Sequence, residues 1–247
     1  MRREYKYLID EATAQKVRRQ IAGICERDRF TDERGRYLCD TLYLDSLDMR
    51  LYRATIENEA VRHKLRIRTY PGTNLVFLEV KRRIDEVIIK SRAMLGPEWR
   101  DVLETANIDR VPEAQKKAVE SFLSYYHASQ LGPMVPTVLV RYEREPYTSL
   151  VDNYARLTFD RSLRYQVASD LVLHGDDRAW VPIDDPLAMR GSTYTSLSIL
   201  ELKFEARAPG WMTRLVKSLE LPRLAMSKYT RAVDSMMMRP TSRASLV

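Results

Sequence analysis

The sequence has little of what many catalytic centres are built from. Two cysteines, Cys25 and Cys39, stand among 247 residues. They are too few for a disulfide framework and lack zinc-site spacing, so reduced thiols in a cytoplasmic protein are expected. The three histidines, His63, His127 and His174, are scattered, which argues against a His-based metal site or a His-centred triad. Apolar runs are short, such as TVLV before Arg141 and LSIL before Glu201. None approaches the roughly 20 residues of a membrane span. The opening MRREYKYLID has no apolar core and does not read as a secretory signal. No Gly-x-x-x-x-Gly-Lys stretch occurs, which excludes a P-loop.

What is abundant is charge. Lys and Arg number 41 against 34 Asp and Glu, a net charge of +7. That balance favours an anionic partner such as nucleic acid, phospholipid or a phosphorylated small molecule. The distribution says more. In RHKLRIRTY, residues 62–70, Arg62, Lys64, Arg66 and Arg68 occupy every second position. On a β-strand these four cations share one face.

Strand-like segments recur: 3–9, 36–46, 61–70, NLVFLEVKRR after the Pro71-Gly72 turn signal, 86–95, 137–148, 154–166 and 196–206, with a short one at 170–173. Helical spacing appears at 11–28, with Asp10 as N-cap, and in SLDMRLYRATIENEA, PEWRDVLETA, 112–129, PGWMTRLVKSLE and KYTRAVDSMMM. The Met236–Met238 run reads as core or cap packing. The pattern predicts one α+β domain over 1–247 with about eight mostly antiparallel strands and a loose tail from about 239.

Alternation sorts each strand into an apolar and a charged face. Glu4 and Lys6 share one; so do Glu79 and Lys81, Lys90 and Arg92, Tyr142 and Arg144, Glu201 and Lys203, and Arg156, Thr158 and Asp160. One solution is an open sheet with helices on one side and water on the other. The other is a barrel with helices outside and the charged face within, where eight strands leave room for one ligand. Charges enclosed that way need water, counter-charges or a polyanion.

KLRIRTY, FLEVKRR, IIKSR, RYER, ARLTFDR, ILELKF and SKY, in this order, resemble the catalytic domain of the VTC (vacuolar transporter chaperone) family, in the CYTH-like or triphosphate tunnel metalloenzyme superfamily. The resemblance spans about residues 3–235. It implies an eight-stranded antiparallel β-barrel tunnel with helices packed outside and a C-terminal helix capping one mouth. It also implies a polyphosphate polymerase that moves the γ-phosphate of ATP onto a growing chain with Mn²⁺ or Mg²⁺. Position by position, it implies Arg66, Arg68, Lys81, Arg144, Arg156 and Lys228 as catalytic phosphate-binding cations. Lys6, Arg53, Lys90, Tyr142, Lys203 and Ser227 would add phosphate contacts. Glu201 would hold the metal, with Glu79 and Glu4 as further candidates. Triphosphatases of the superfamily carry Glu-x-Glu-x-Lys on the first strand; here RREYKY puts Arg2 at the first glutamate position, which suits the polymerase branch. Eukaryotic members join this domain to a phosphate-sensing domain and membrane helices. Neither occurs here, so a separate membrane partner is the corresponding expectation.

Two other functions fit the same residues: hydrolysis of tripolyphosphate or nucleoside triphosphates, and polyanion binding without turnover. RNA binding fits less well, because Tyr70, Phe77 and Tyr142 do not have the spacing of a stacking platform.

Overall fold

A computed structural model describes residues 2–85, 87–127, 132–152, 154–183, 197–224 and 226–238. The expected tail from 239 and the Arg2 side chain lie outside the described residues. The strands are β1 (Arg2–Ile9), β2 (Cys25–Arg27), β3 (Tyr37–Ser46), β4 (Val61–Thr69), β5 (Val76–Ile84), β6 (Val87–Leu95), β7 (Met134–Ser149), β8 (Arg156–Val167), β9 (Val181–Pro182) and β10 (Ser198–Glu205). The described helices are α1 (Glu11–Ile21), α2 (Arg50–Ile56), α3 (Trp99–Thr105), α4 (Glu113–Tyr126), α5 (Gly210–Ser218) and α6 (Lys228–Met238).

All strands join one ten-stranded sheet in the order β1-β10-β8-β7-β3-β4-β5-β6. The short β2 and β9 attach to β7 and β8 off that path. Every strand pairing is antiparallel. The sheet curls without closing: β1 and β6 are its free edges. Lys81 of β5 nevertheless reaches Glu4 of β1 at 3.3 Å, so side chains bridge the interior from the first strand of the order to the next-to-last. The result is an α+β tunnel in which eight strands form the continuous wall.

The β4–β5 connection follows its turn chemistry. Thr73 N donates to Tyr70 O at 3.0 Å, and Gly72 takes φ +86°. Proline second and a positive-φ glycine third make a type II turn, which most side chains at Gly72 would strain.

Outward faces are apolar and carry helices. Leu65, Ile67, Leu78, Val80, Ala93 and Leu95 pack under Val102 and Leu103 of α3 and Val119 and Phe122 of α4. Tyr7, Leu157, Phe159, Leu200 and Leu202 pack under Val17 and Ile21 of α1 and Trp211 and Leu215 of α5. Asp10 caps α1, accepting from Thr13 N at 2.7 Å. A third core lies on the inner side at one end, where α6 inserts Tyr229, Ala232 and Val233 among Tyr43, Val138, Val140, Leu163, Tyr165 and Ile199. Met236 packs against this core, while Met237 and Met238 are exposed.

The cap is anchored by Asp45 at the end of β3. Its carboxylate accepts from Leu51 N and Tyr52 N, both at 2.8 Å, and from the Tyr229 hydroxyl. One buried group thus fixes the starts of both α2 and α6. Tyr229→Phe should therefore cost about 1–3 kcal/mol by leaving a buried acceptor short of a donor. Thermal melts would read this; an unchanged midpoint would mean the contact is dispensable.

Two sequence expectations need correction. Residues 11–28 are not one helix: α1 stops at Ile21, and Cys25–Arg27 pairs with Ser149–Tyr147 as β2. Residues 170–173 form no strand; Leu171 and Leu173 instead tuck into the α3/α4 core. The extra strand on β8 is Val181–Pro182.

Candidate functional site

Strand alternation delivers the cations to the inner wall. Lys6, Lys64, Arg66, Arg68, Lys81, Lys90, Arg92, Arg144, Lys203 and Lys228 face Glu4, Glu79, Asp160 and Glu201 there. Cations outnumber carboxylates, so the wall keeps positive charge that the protein does not neutralise.

Two clusters organise it. In the first, Glu79 is fully buried on β5. Arg66 Nε donates to it at 2.6 Å, Lys90 Nζ lies at 2.8 Å, Arg92 Nε at 3.3 Å and Arg68 Nη2 at 4.0 Å. Burial opposes ionisation, but Arg66, Arg68 and Lys90 hold Glu79 well below the usual carboxylate range. In the second, Asp160 of β8 accepts two parallel hydrogen bonds from Arg144, at 2.7 and 2.8 Å, and Lys228 Nζ at 2.6 Å. Arg144 also lies 3.6 Å from Glu201, and Lys203 lies 3.2 Å from it. Burial opposes the Glu201 charge; Lys203, a hydrogen bond with Glu4, Lys6 and Arg144 keep it well below its ordinary pKa.

Between the clusters stand Lys6, Lys64 and Lys81. Lys6 Nζ is 3.0 Å from Glu4 and donates to Met226 O at 3.1 Å. Burial works against its charge, yet Glu4 and Glu201 raise its pKa. Lys64 forms no ion pair with a carboxylate among the described residues and donates to Ser227 Oγ at 2.7 Å. Burial, with Lys6, Lys81 and Arg66 nearby, pushes it well below the ordinary lysine value.

Two buried hydroxyls point to a ligand. Tyr142 Oη and Thr158 Oγ1 are sealed from solvent and have no oxygen or nitrogen hydrogen-bond partner among the described residues, the Cys39 thiol being the polar group next to Tyr142. Tyr142 lies under Arg144 and Lys228, whose charged groups are 5.3 and 4.6 Å from its ring. Buried hydroxyls normally find a partner; a phosphate oxygen beside these cations would serve.

The predicted residues thus divide. Lys6, Arg66, Arg68, Lys81, Lys90, Tyr142, Arg144, Lys203, Ser227, Lys228, Glu4, Glu79 and Glu201 line one tunnel. Arg156 pairs in register with Lys203 on the same face but is exposed, at the mouth. Arg53 is not brought in: it is exposed on α2 and bonded to Asp48 at 2.6 Å. Arg62 also leaves the row, bonding Asn58. Lys64, Arg92, Thr158 and Asp160 join the site although the residue assignments omitted them; each already lay on the charged face by alternation.

For a divalent cation, the donor chemistry of Glu4 and Glu201 fits. The nearby Glu201 works against the charge on Glu4, an opposition that a divalent cation would relieve, and both are hard oxygen donors. No cluster of three or more His, Cys, Asp or Glu side chains suited to a metal occurs among the described residues, so phosphate oxygens or water would complete the coordination. No described helix is long and apolar enough to cross a membrane.

Lys90 gives the wall a titratable element. Burial, only partly offset by Glu79, lowers its pKa to about 8. It is charged below that pH and neutral above, so it should aid anion binding at pH 7 and contribute little at pH 9. Lys90→Arg removes this titration, because arginine stays charged. Calorimetry with tripolyphosphate should find wild type losing affinity relative to Lys90→Arg between those pH values; parallel profiles would refute the assignment. The comparison cancels the ligand's own titration.

Similar proteins share this architecture. HpAC1 from Hippeastrum, described as a provisional adenylyl cyclase with a dominant triphosphatase activity, aligns at TM-score 0.53 and 13% identity, covering 95% of this chain and 96% of that one. A provisionally described adenylate cyclase from Bacillus halodurans aligns at TM-score 0.51 and 13% identity, covering 91% and 92%. PH1819 from Pyrococcus horikoshii aligns at TM-score 0.50 and 12% identity, covering 96% and 99%. Such low identity speaks for the fold. Among curated proteins none matches the chain in sequence. The family model of the VTC domain, however, matches residues 1–237, and the chain belongs to that family.

Proposed function

We propose that this protein is a metal-dependent ATP:polyphosphate phosphotransferase that extends an inorganic polyphosphate chain inside the basic tunnel. The observation that carries the reading is the convergence of surplus buried cations with the buried hydroxyls of Tyr142 and Thr158. A run of phosphates is a ligand that could engage such a wall along its length. VTC family membership favours chain growth over other uses of it.

Phosphoryl transfer requires positioning and charge stabilisation more than covalent help from the protein. An oxygen of the terminal phosphate on the acceptor attacks the γ-phosphorus of ATP. The new P–O bond forms as the bond to the β-phosphate oxygen breaks, and ADP leaves. Arg66, Arg68 and Arg144 offer planar forks to phosphate oxygens. Lys6, Lys64, Lys81, Lys90 and Lys228 add point charges, and Arg156 and Lys203 draw polyanions to the mouth. Glu4 and Glu201 would hold the divalent ion, which when bound neutralises developing negative charge. Glu79 is better read as the counter-ion that holds its four cations together than as a metal ligand.

Hydrolysis is the second reading, with water as acceptor. It is favoured by the fold shared with HpAC1, whose description names a triphosphatase activity. Incubation with ATP and Mn²⁺ separates the two: phosphate ladders on a gel support polymerisation, and orthophosphate without chains supports hydrolysis. Tight polyphosphate binding without either product would support a binding module.

A further inference from the structure

The phosphate-facing wall ends in aromatic side chains. Phe77 and Met94 are register partners on β5 and β6, one alternate position beyond Glu79 and Arg92 toward the β4–β5 turn. They therefore share the inner face with the Glu79 cluster. Arg92 bridges the two zones. Its Nε is 3.3 Å from Glu79, while its guanidinium carbon lies 3.8 Å above the Phe77 ring. Its Nη2 also reaches the Tyr70 hydroxyl at 3.5 Å. Tyr70 packs edge-on to Phe77, with ring centroids 5.6 Å apart, and the type II turn accepts two hydrogen bonds at the Tyr70 carbonyl.

This corner is built but left open. Phe77 is buried, yet Met94 is 46% exposed and the Arg92 side chain 38%. The Arg92 guanidinium, 3.8 Å from the ring on one side, stays partly open to solvent, with the exposed Met94 side chain two positions along the same strand face. Such a surface suits another flat, π-rich group. A purely electrostatic phosphate wall would need neither the ring under Arg92 nor the methionine beside it.

We propose that Tyr70, Phe77, Arg92 and Met94 form a nucleobase subsite, so that a nucleoside triphosphate enters with its base stacked on Arg92 and its phosphates on Arg66, Arg68 and Lys90. This rests on the phosphate-tunnel reading and adds the orientation of the donor and its class. Arg92 joins the zones, so base and phosphate contacts are continuous. Stacking is tolerant of base identity, because every base has a π-face. The donor is therefore a nucleoside triphosphate of relaxed base identity, not ATP alone.

The test compares ATP with inorganic tripolyphosphate on wild type, Phe77→Leu and Arg92→Lys. Lysine can keep the ion pair with Glu79 but loses the flat surface. Both variants should weaken ATP roughly tenfold or more, the scale of one lost stacking partner, while tripolyphosphate affinity changes less than about threefold. Saturation-transfer NMR on wild type should mark adenine H2 and H8 more strongly than the ribose protons, and GTP should compete with ATP. That readout holds even if Phe77→Leu folds poorly. Equal losses for both ligands, or no transfer to the base, would overturn the subsite and leave the phosphate tunnel standing. Failure of wild type to bind tripolyphosphate at all would remove both.

Discussion

Replacing Glu79 by glutamine should unfold this protein more readily than any single change in its outer cores of comparable size, and a polyanion should rescue it. The carboxylate is fully buried with Arg66, Arg68, Lys90 and Arg92 around it. Glutamine keeps the shape and removes the charge, leaving buried cations to repel one another. Breaking a buried ionic cluster from one side costs about 3–5 kcal/mol. For a chain of this size that lowers the melting midpoint by on the order of 10 °C. Tripolyphosphate supplies the missing negative charge from the ligand side, so its stabilising effect should be larger in Glu79→Gln than in wild type. The pH sign agrees. The folded-state pKa of Glu79 is depressed, so its contribution is fully present above the unfolded carboxylate value and is lost as pH falls toward the folded one. Wild type should thus become acid-labile below about pH 4.5, and Glu79→Gln should show a weaker acid dependence. A variant as stable as wild type without anion would show that the cations disperse into solvent instead.

Much of this architecture was legible from alternation alone. Period-2 patterning separates Leu65 and Ile67 from Arg66 and Arg68, and Leu78 and Val80 from Glu79 and Lys81; the sheet places each set on the expected side. Asp10 and Pro71-Gly72 announced a cap and a turn through local chemistry. What failed was set by distant partners. Cys25–Arg27 is a strand only because Tyr147–Ser149 lies beside it, and its apolar residues fit the end of a helical stripe equally well. On β8, Ser162 takes φ +53° and the β7 register shifts between Arg141 and Glu143. Simple alternation therefore places Asp160 inward but cannot be extended unchanged to Leu163 and Tyr165, which also pack inside.

The site was legible in its residue types and less so in their roles. Read along β5, Glu79 is open to two roles, metal ligand or ion-pair partner of a neighbouring arginine. Lys90 and Arg92 arrive from β6 and add to the cations around it, which favours the ion-pair role. Lys64 belongs to the same cationic row as Arg66, and only the fold shows that Ser227, not a carboxylate, receives it. Arg53 shows the reverse: a basic residue beside matching motifs that the short helix α2 turns toward Asp48 and solvent.

Arg68→Ala should then give the largest loss of turnover for the least loss of fold. Most tunnel arginines already have protein partners at short range. Arg144 spends two donors on Asp160 and Arg66 one on Glu79. Arg68 is buried too, yet its contacts are long, 3.4 Å to Thr41 and 4.0 Å to Glu79. Its fork is held in place by burial, with donors to spare for a phosphate oxygen. A positioned donor that acts on transition-state charge is worth about 2–4 kcal/mol, or roughly 30- to 1,000-fold in rate. Truncating Arg68 should therefore lower kcat/KM by that factor while moving the melting midpoint less than Arg144→Ala, which strands Asp160 with Lys228 alone. Arg68→Lys should recover binding better than rate, because a single ammonium supplies charge without the paired geometry. Initial rates of ADP release with ATP and Mn²⁺, set beside melts of the same preparations, measure both quantities. If Arg68→Ala loses stability as Arg144→Ala does and activity no more than it, Arg68 is a structural cation and the phosphates bind elsewhere along the wall.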